Sequence, residues 1–142
     1  MRVVAGKYKR KNLITLEGDD TRPTKDMVKE AIFDTVLIKD TDTFLDLFAG
    51  SGAIGIEAIS RGAAKVVFND LNTKAVNIIK ENLNNIKELA TVHNEDAFSL
   101  IKKLKESFDY IFIDPPYAFD RYDVRQDFDN DQYEAEWDDD SY

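Results

Sequence analysis

From Thr43 to Ile113 the spacing of apolar residues alternates between a period of two and a period near 3.6. This alternation limits the possible folds more than any other feature of the chain. Phe44 to Phe48 is a compact apolar strand interrupted by Asp46, and Ala53 to Ser60 is a helix closed by Gly62. Lys65 to Phe68 is a second strand, followed by a helix from Thr73 to Asn85 with Ala75, Ile78, Ile79 and Leu83 on a common face. Ala90 to His93 is a third strand, Ala97 to Lys105 a third helix, and Tyr110 to Ile113 a fourth strand. Strands alternating with helices build a parallel sheet with helices on both faces, joined by right-handed crossovers.

The chain before this region reads differently. Residues 2 to 16, RVVAGKYKRKNLITL, place apolar residues at both ends of a basic middle. They suggest a short β-hairpin, or two extended segments, with Gly6 near the bend. Pro23 holds Arg22 extended, and Thr24 is placed to N-cap a helix from Lys25 to about Val36. In that helix Val28, Ala31, Ile32 and Val36 share a face.

At 142 residues the chain suits a single folded unit. Three regions are expected within it: a basic amino-terminal extension over 1–20, a core over 21–117 and an acidic tail over 118–142. The chain has no cysteine and a single histidine, His93, which excludes disulfide frameworks, thiol catalysis and the common Cys/His zinc sites. His93 reads as a structural or surface residue. No apolar run approaches the ~20 residues of a membrane span, and Val3-Val4-Ala5 is too short for a signal segment, so a cytoplasmic protein is expected.

The net charge of -9 is unevenly distributed. Residues 118–142 hold ten acids and two arginines, a net of -8, which leaves about -1 for residues 1–117. The first sixteen residues carry Arg2, Lys7, Lys9, Arg10 and Lys11 and no acid. A local basic patch can contact phosphates whatever the total charge.

In an open parallel sheet, ligands bind beyond the carboxyl ends of the strands, where the strand order reverses. Three loops there carry chemistry. In Asp46-Leu47-Phe48-Ala49-Gly50-Ser51-Gly52, the glycines allow a tight turn against a ligand, and the helix that follows offers unpaired N–H groups. Gly50, Gly52 and Gly55 also satisfy the dinucleotide pattern G-x-G-x-x-G, so a nicotinamide cofactor is one reading and a purely structural turn another. Asp46, inside an apolar strand end, needs a partner, and a ligand ammonium group would supply one. Asp70, after the second strand, stands where such folds accept hydrogen bonds from ribose hydroxyls, a group shared by NAD and S-adenosylmethionine. It could instead cap the helix after Leu71. After the third strand, Asp96 and the Ala97 N–H could contact an adenine, or Asp96 could N-cap the next helix.

The fourth strand ends in Asp114-Pro115-Pro116-Tyr117, a corner for which a nicotinamide dehydrogenase has no use. The exocyclic amino group of a nucleobase is a weak nucleophile because its lone pair is delocalised. Two acceptors, the Asp114 carboxylate and the Pro115 carbonyl, would take its hydrogens and aim the lone pair at a methyl donor. The prolines fix the carbonyl outward, and Tyr117 can stack on an extruded base.

With these motifs the chain resembles class I S-adenosylmethionine-dependent methyltransferases acting on amino groups. It is most similar to the RsmD-type bacterial small-subunit ribosomal RNA guanine-N2 methyltransferases. The resemblance runs from Arg2 to about Tyr122 through RVVAGKYK, TRPTKDMVKEAIF, FLDLFAGSGAIGIEAISRGA, VVFNDLNTKAV and IDPPY. It implies a Rossmann-like core, S-adenosylmethionine as cofactor and small-subunit ribosomal RNA as partner. Cofactor contacts would come from Asp46, Phe48, Gly50, Ser51, Gly52, Asp70, Asp96 and Ala97, with Asp114, Pro115, Pro116 and Tyr117 at the target base. Arg22 and Thr24 would lie near the active site, and Arg2, Lys7, Lys9, Arg10 and Lys11 would touch RNA. The chain departs from the family pattern at Arg10-Lys11, where Gly-Arg is usual.

The second departure is AFDRYDVRQDFDNDQYEAEWDDDSY, which stands where the family's fifth strand and final hairpin are expected. Aromatics scattered among acids suit a solvated tail. The fourth strand is then expected to be a sheet edge without its usual partner, which predicts marginal stability, self-association or a covering supplied by the tail. Two competing readings accompany the methyltransferase one: a truncated, inactive homologue that binds RNA or cofactor, and a DNA adenine-N6 methyltransferase.

Overall fold

The computed structural model describes residues 1–16 and 24–115, with Thr24 and Lys25 described through their backbone alone. The elements run α1 (Thr24–Thr35), β1 (Thr43–Asp46), α2 (Ala53–Ser60), β2 (Lys65–Asn69), α3 (Thr73–Asn85), β3 (Thr91–His93), α4 (Ala97–Lys103) and β4 (Tyr110–Phe112). The strands form one parallel sheet in the order β3-β2-β1-β4. The order reverses between β1 and β4, so the carboxyl end of β1 faces a topological switch point.

Alternation along β1 and β2 sorts the side chains onto two layers. Phe44, Val66 and Phe68 face α2 and α3 and pack with Ile56, Ile79, Leu83 and Ile86. Leu45, Leu47 and Val67 face the opposite way, onto Ala97 and Leu100 of α4. Helices therefore cover both faces. Each large side chain buried this way contributes roughly 1.5–3 kcal/mol.

Most elements fall where the apolar period places them, and α2 and α3 match end to end. The others differ by one to two residues at their ends. β1 stops at Asp46 because the chain turns into the glycine loop, and α4 stops at Lys103 because Leu104 is already extended. The larger correction concerns α1. Its buried face is Lys29 and Phe33, each 1% exposed, while Val28 is 54% exposed and Ala31 is also exposed. Phe33 stacks on Phe44 at 6.2 Å, and Lys29 reaches a buried carboxylate at Glu57, 3.4 Å away. A charge partner inside the molecule rotated the helix away from its most apolar stripe. Thr24 is the first helical residue rather than the residue before the helix.

The amino-terminal segment folds back on itself through an antiparallel bridge between Arg2 and Asn12, and its Val3 and Leu13 enter the core. Gly6, at φ 89, lies so close to Ser60 that an added Cβ would stand 2.0 Å from that residue's carbonyl oxygen. The bend thus requires glycine. Arg10 also adopts a left-handed φ of 74, at the position where the family pattern has glycine. Among the described residues no helix is long and apolar enough to cross a membrane.

Candidate active site

The turn after β1 is closed by a Gly52 N–H to Ala49 O bond of 2.8 Å, and Gly50 and Gly52 both take positive φ, 56 and 85. The three glycines of the pattern have different reasons to be there. A Cβ on Gly55 would meet the Phe68 ring at 2.3 Å, and one on Gly52 would press on Ile79 at 3.2 Å. Those two serve internal packing. Gly50 has nothing within 4 Å of its missing Cβ, which leaves open space over the turn.

Asp46 ends β1 beneath this turn. It is 1% exposed, and neither carboxylate oxygen has a hydrogen-bond partner. Burial first, and then the charges of Asp70 and Asp114, push its carboxyl up to about 7. The amides of Gly55 and Phe48 face it and only partly offset that rise. An unpaired buried carboxylate is costly, and it is one of three acids converging on the same loop. Positive charge brought to this place would be stabilised by all three.

Asp70 spans two loops. Its Oδ2 accepts from Gly50 N at 2.8 Å and its Oδ1 from Asn72 N at 2.8 Å. The N-cap of α3 is Asn72, whose side chain accepts from Lys74 N, so the helix is capped by Asn72 and not by Asp70, two positions earlier. A carboxylate has about four lone-pair sites, and Asp70 keeps capacity on the solvent side. Asp96 does N-cap α4, accepting from Ser99 N at 3.0 Å, and Ala97 is buried directly behind it.

Asp114 and Pro115 follow β4, which lies beside β1 in the register Asp46 to Phe112. Leu47 N donates to Phe112 O at 3.2 Å, tying the two strand ends together. Asp114 is exposed and Pro115 partly so. The structure thus brings Asp46, Phe48, Gly50, Ser51, Gly52, Asp70, Asp96, Ala97, Asp114 and Pro115 to one edge of the sheet. Pro116, Tyr117 and Arg22 lie outside the described residues, as does the side chain of Thr24 and the whole of 118–142.

The basic residues are arranged differently. Arg2, Lys7, Lys9, Arg10 and Lys11 are all exposed. Lys7 N bonds to Ser60 O at 2.7 Å, its ammonium lies 5.3 Å from the Tyr8 ring, and it pairs with Glu88 at 4.0 Å. Ser60 ends α2 and Glu88 follows α3, each just before the connection reaches the amino end of β2 or β3. Lys7 is therefore at the end of the sheet opposite the acidic loops. Arg2, Lys9 and Arg10 border a cleft of about 260 Å³ beside Asp26 and Glu30 of α1.

Sequence reasoning missed three asparagines that hold the loops together. Asn69, 1% exposed, donates to Leu47 O and Glu95 O and accepts from Glu95 N, joining the first and third loops. Asn94 donates to the carbonyls of Asp70 and Leu71. Asn82 joins the glycine turn to the amino-terminal segment. A polar residue at the end of an apolar strand, as at Asn69, was the available signal. Asn82 gave one too, standing on the face that the helical period assigns to the core.

A parallel sheet reversing at β1, helices on both faces and a glycine turn flanked by acids define a Rossmann-like methyltransferase fold. Within that class the chain belongs to the RsmD family, whose model, described as Conserved hypothetical protein 95, matches residues 1–131. It is 42% identical over 123 residues to YlbH of Bacillus subtilis, covering 82% of this chain and 67% of that one. It is 38% identical over 126 residues to the ribosomal RNA small subunit methyltransferase D of Haemophilus influenzae, covering 84% and 65%. The solved structure of yhhF from Escherichia coli superposes with a TM-score of 0.72 at 30% identity, covering 82% of this chain and 64% of that one. The chain thus spans about two thirds of the length of these relatives.

Proposed function

We propose that the chain is an S-adenosylmethionine-dependent methyltransferase acting on the exocyclic N2 amino group of a guanine in small-subunit ribosomal RNA. The observation that carries this reading is Asp46, a fully buried carboxylate with no partner, placed under an open glycine turn and flanked by two further acids. Those acceptors fit a ligand bearing an ammonium group, a sulfonium and a ribose. Asp46 would take the ammonium, Asp70 the ribose hydroxyls, and Asp96 with the Ala97 N–H the adenine. The cofactor supplies an electrophilic methyl group when bound. Family resemblance supports guanine N2 over adenine N6, and the names of relatives support ribosomal RNA, which would place the reaction in the cytoplasm.

The chain's own contribution at the base is positioning. Asp114 and the Pro115 carbonyl accept the two amino hydrogens, which leaves the nitrogen lone pair free to point toward the methyl group. Asp114, exposed at the strand end, takes up the proton released when the nitrogen forms its new bond. Tyr117 would hold the extruded base by stacking, and the exposed basic residues would contact phosphates.

A second reading, a binding homologue without turnover, is favoured by one observation. β4 pairs only with β1 among the described residues, and Ile111 and Ile113 beside the corner are 52% and 62% exposed. The same uncovered edge is where copies of the chain would self-associate. Methyl labelling of undermethylated small subunits separates the two readings. Labelling is expected, with Asp114→Ala reducing its rate by about 100-fold or more while leaving S-adenosylhomocysteine affinity within a few-fold. A chain that binds the cofactor but leaves such subunits unlabelled is a binding homologue.

A further inference from the structure

Asn82 lies near the end of α3 and is 1% exposed, well away from any solvent-facing role. Its side chain makes three hydrogen bonds. Oδ1 accepts from Ile14 N at 2.8 Å, and Nδ2 donates to Ile14 O at 2.9 Å and to Ser51 O at 3.0 Å. Both amide hydrogens are thus used. The pair of bonds to Ile14 imitates a neighbouring β-strand, fixing the amino-terminal segment just as it leaves the core at Leu13. The third bond lands inside the glycine turn, between the two residues of positive φ.

That placement has a mechanical consequence. The Ala49–Gly50 peptide is held by Asp70 accepting from Gly50 N, and the Ser51–Gly52 peptide by Asn82 donating to Ser51 O. A tight turn rich in glycine can otherwise rotate these peptide planes at little cost. Ile79, one helical turn before Asn82, closes the space under Gly52. The turn is therefore gripped from two sides, and one grip continues into the amino-terminal segment.

We infer that Asn82 is a positioning residue for the cofactor turn, and that through it the amino-terminal segment, at Ile14, forms part of the cofactor site. The inference rests on the proposed cofactor-binding role of this turn. Removing the Asn82 donors leaves two part-buried carbonyls without this partner and frees the turn, a loss comparable to one or two hydrogen bonds.

The test is S-adenosylhomocysteine affinity by calorimetry on the full chain, well below each variant's Tm. Asn82→Asp cannot donate to either carbonyl and should weaken binding about tenfold. Leu83→Ala, one residue along and 4% exposed, is the stability control. It should lower Tm at least as much yet keep affinity within twofold. An Asn82→Asp chain with lowered Tm and unchanged affinity would reduce Asn82 to packing and overturn the inference. A second measurement needs no variant: on adding S-adenosylhomocysteine to the wild type, exchange of the Ile14 amide hydrogen should slow together with that of Gly50 and Gly52. Slowing confined to the turn would overturn the link to the amino-terminal segment. A wild type that binds no S-adenosylhomocysteine would instead remove the cofactor reading, and this inference with it.

Discussion

Glu57 and Asp46 are 0% and 1% exposed, and the fold treats them in opposite ways. Glu57 on α2 accepts from Val4 N at 2.9 Å, Ala5 N at 3.1 Å and Arg61 Nε at 2.8 Å, with the Lys29 ammonium 3.4 Å away. Lys29 in turn donates to Arg2 O at 2.5 Å. Every element of that cluster is satisfied from within the chain, and together they dock α1 and the amino-terminal segment onto α2. Asp46 has no such partners. A buried carboxylate satisfied from within is a fastener, whereas one left unsatisfied beneath an open turn is the group on which the proposed cofactor site rests.

The largest effect should come from breaking the satisfied member. Glu57→Ala strands Lys29 and two backbone amides, and by the usual cost of breaking a buried ion pair it should lose about 3–5 kcal/mol in urea unfolding. A loss under 1 kcal/mol would show that the cluster is not holding the segment. Adding Lys29→Met to that variant should recover part of the loss, because the uncompensated charge is gone.

Removing the unsatisfied member should act in the opposite direction. The Asp46 carboxyl is raised from an ordinary 3.8 to about 7. Its contribution is fully present below about 3.8 and is lost as pH rises through about 7, because the unfolded chain then releases a proton that the folded chain retains. Between pH 4 and 7 this group should cost the ligand-free protein up to about 1.4 kcal/mol per pH unit. Asp46→Asn should therefore raise stability at pH 8 by a few kcal/mol, on the order of 2–4, and change little at pH 4, while abolishing S-adenosylhomocysteine binding. Equal stabilisation at both pH values would disprove the titration. The same protonation makes wild-type affinity for a cationic ligand rise with pH, by up to about tenfold per unit, until a plateau above pH 7.

A smaller effect tests the loop between the two acids. Asp70→Ala frees the Gly50 amide and removes the proposed ribose acceptor, and should weaken S-adenosylhomocysteine by about tenfold, or ~1.4 kcal/mol. The smallest lies in the segment that Glu57 holds. Arg10→Gly relieves a left-handed φ costing about 1–2 kcal/mol and adds glycine entropy of about 0.4–1 kcal/mol in the unfolded chain. A net gain of a few tenths to 1 kcal/mol should appear as a higher urea midpoint at unchanged slope.

Much of this molecule can be read from short-range pattern. α3 was legible to the residue because its apolar period, the Asn72-Thr73 start and the loss of that period after Asn85 agree. The glycine turn and the acid directly after β2 were legible because glycines and an acid at strand ends stand out from the apolar runs they follow. The face of α1 was not legible, since hydropathy ranks Val28 above Lys29 and the partner that reverses the ranking lies 28 positions away at Glu57. Asn69 and Asn82 were missed for a related reason: the carbonyls that an inward-facing asparagine serves lie 22 to 68 positions away in sequence.

The sequence by itself determined the βαβ alternation, the turn chemistry after β1 and which residue types stand at each strand end. Each of these depends on neighbours within a few positions, through backbone propensity, apolar period and glycine's access to positive φ. Only the tertiary structure decided which buried polar groups find partners. Glu57 is satisfied because the amino-terminal segment and α1 fold onto it, whereas neither oxygen of the Asp46 carboxylate finds a hydrogen-bond partner. Satisfaction of a buried charge is a property of groups distant in sequence, so the difference between fastener and site appears only once the chain has closed on itself.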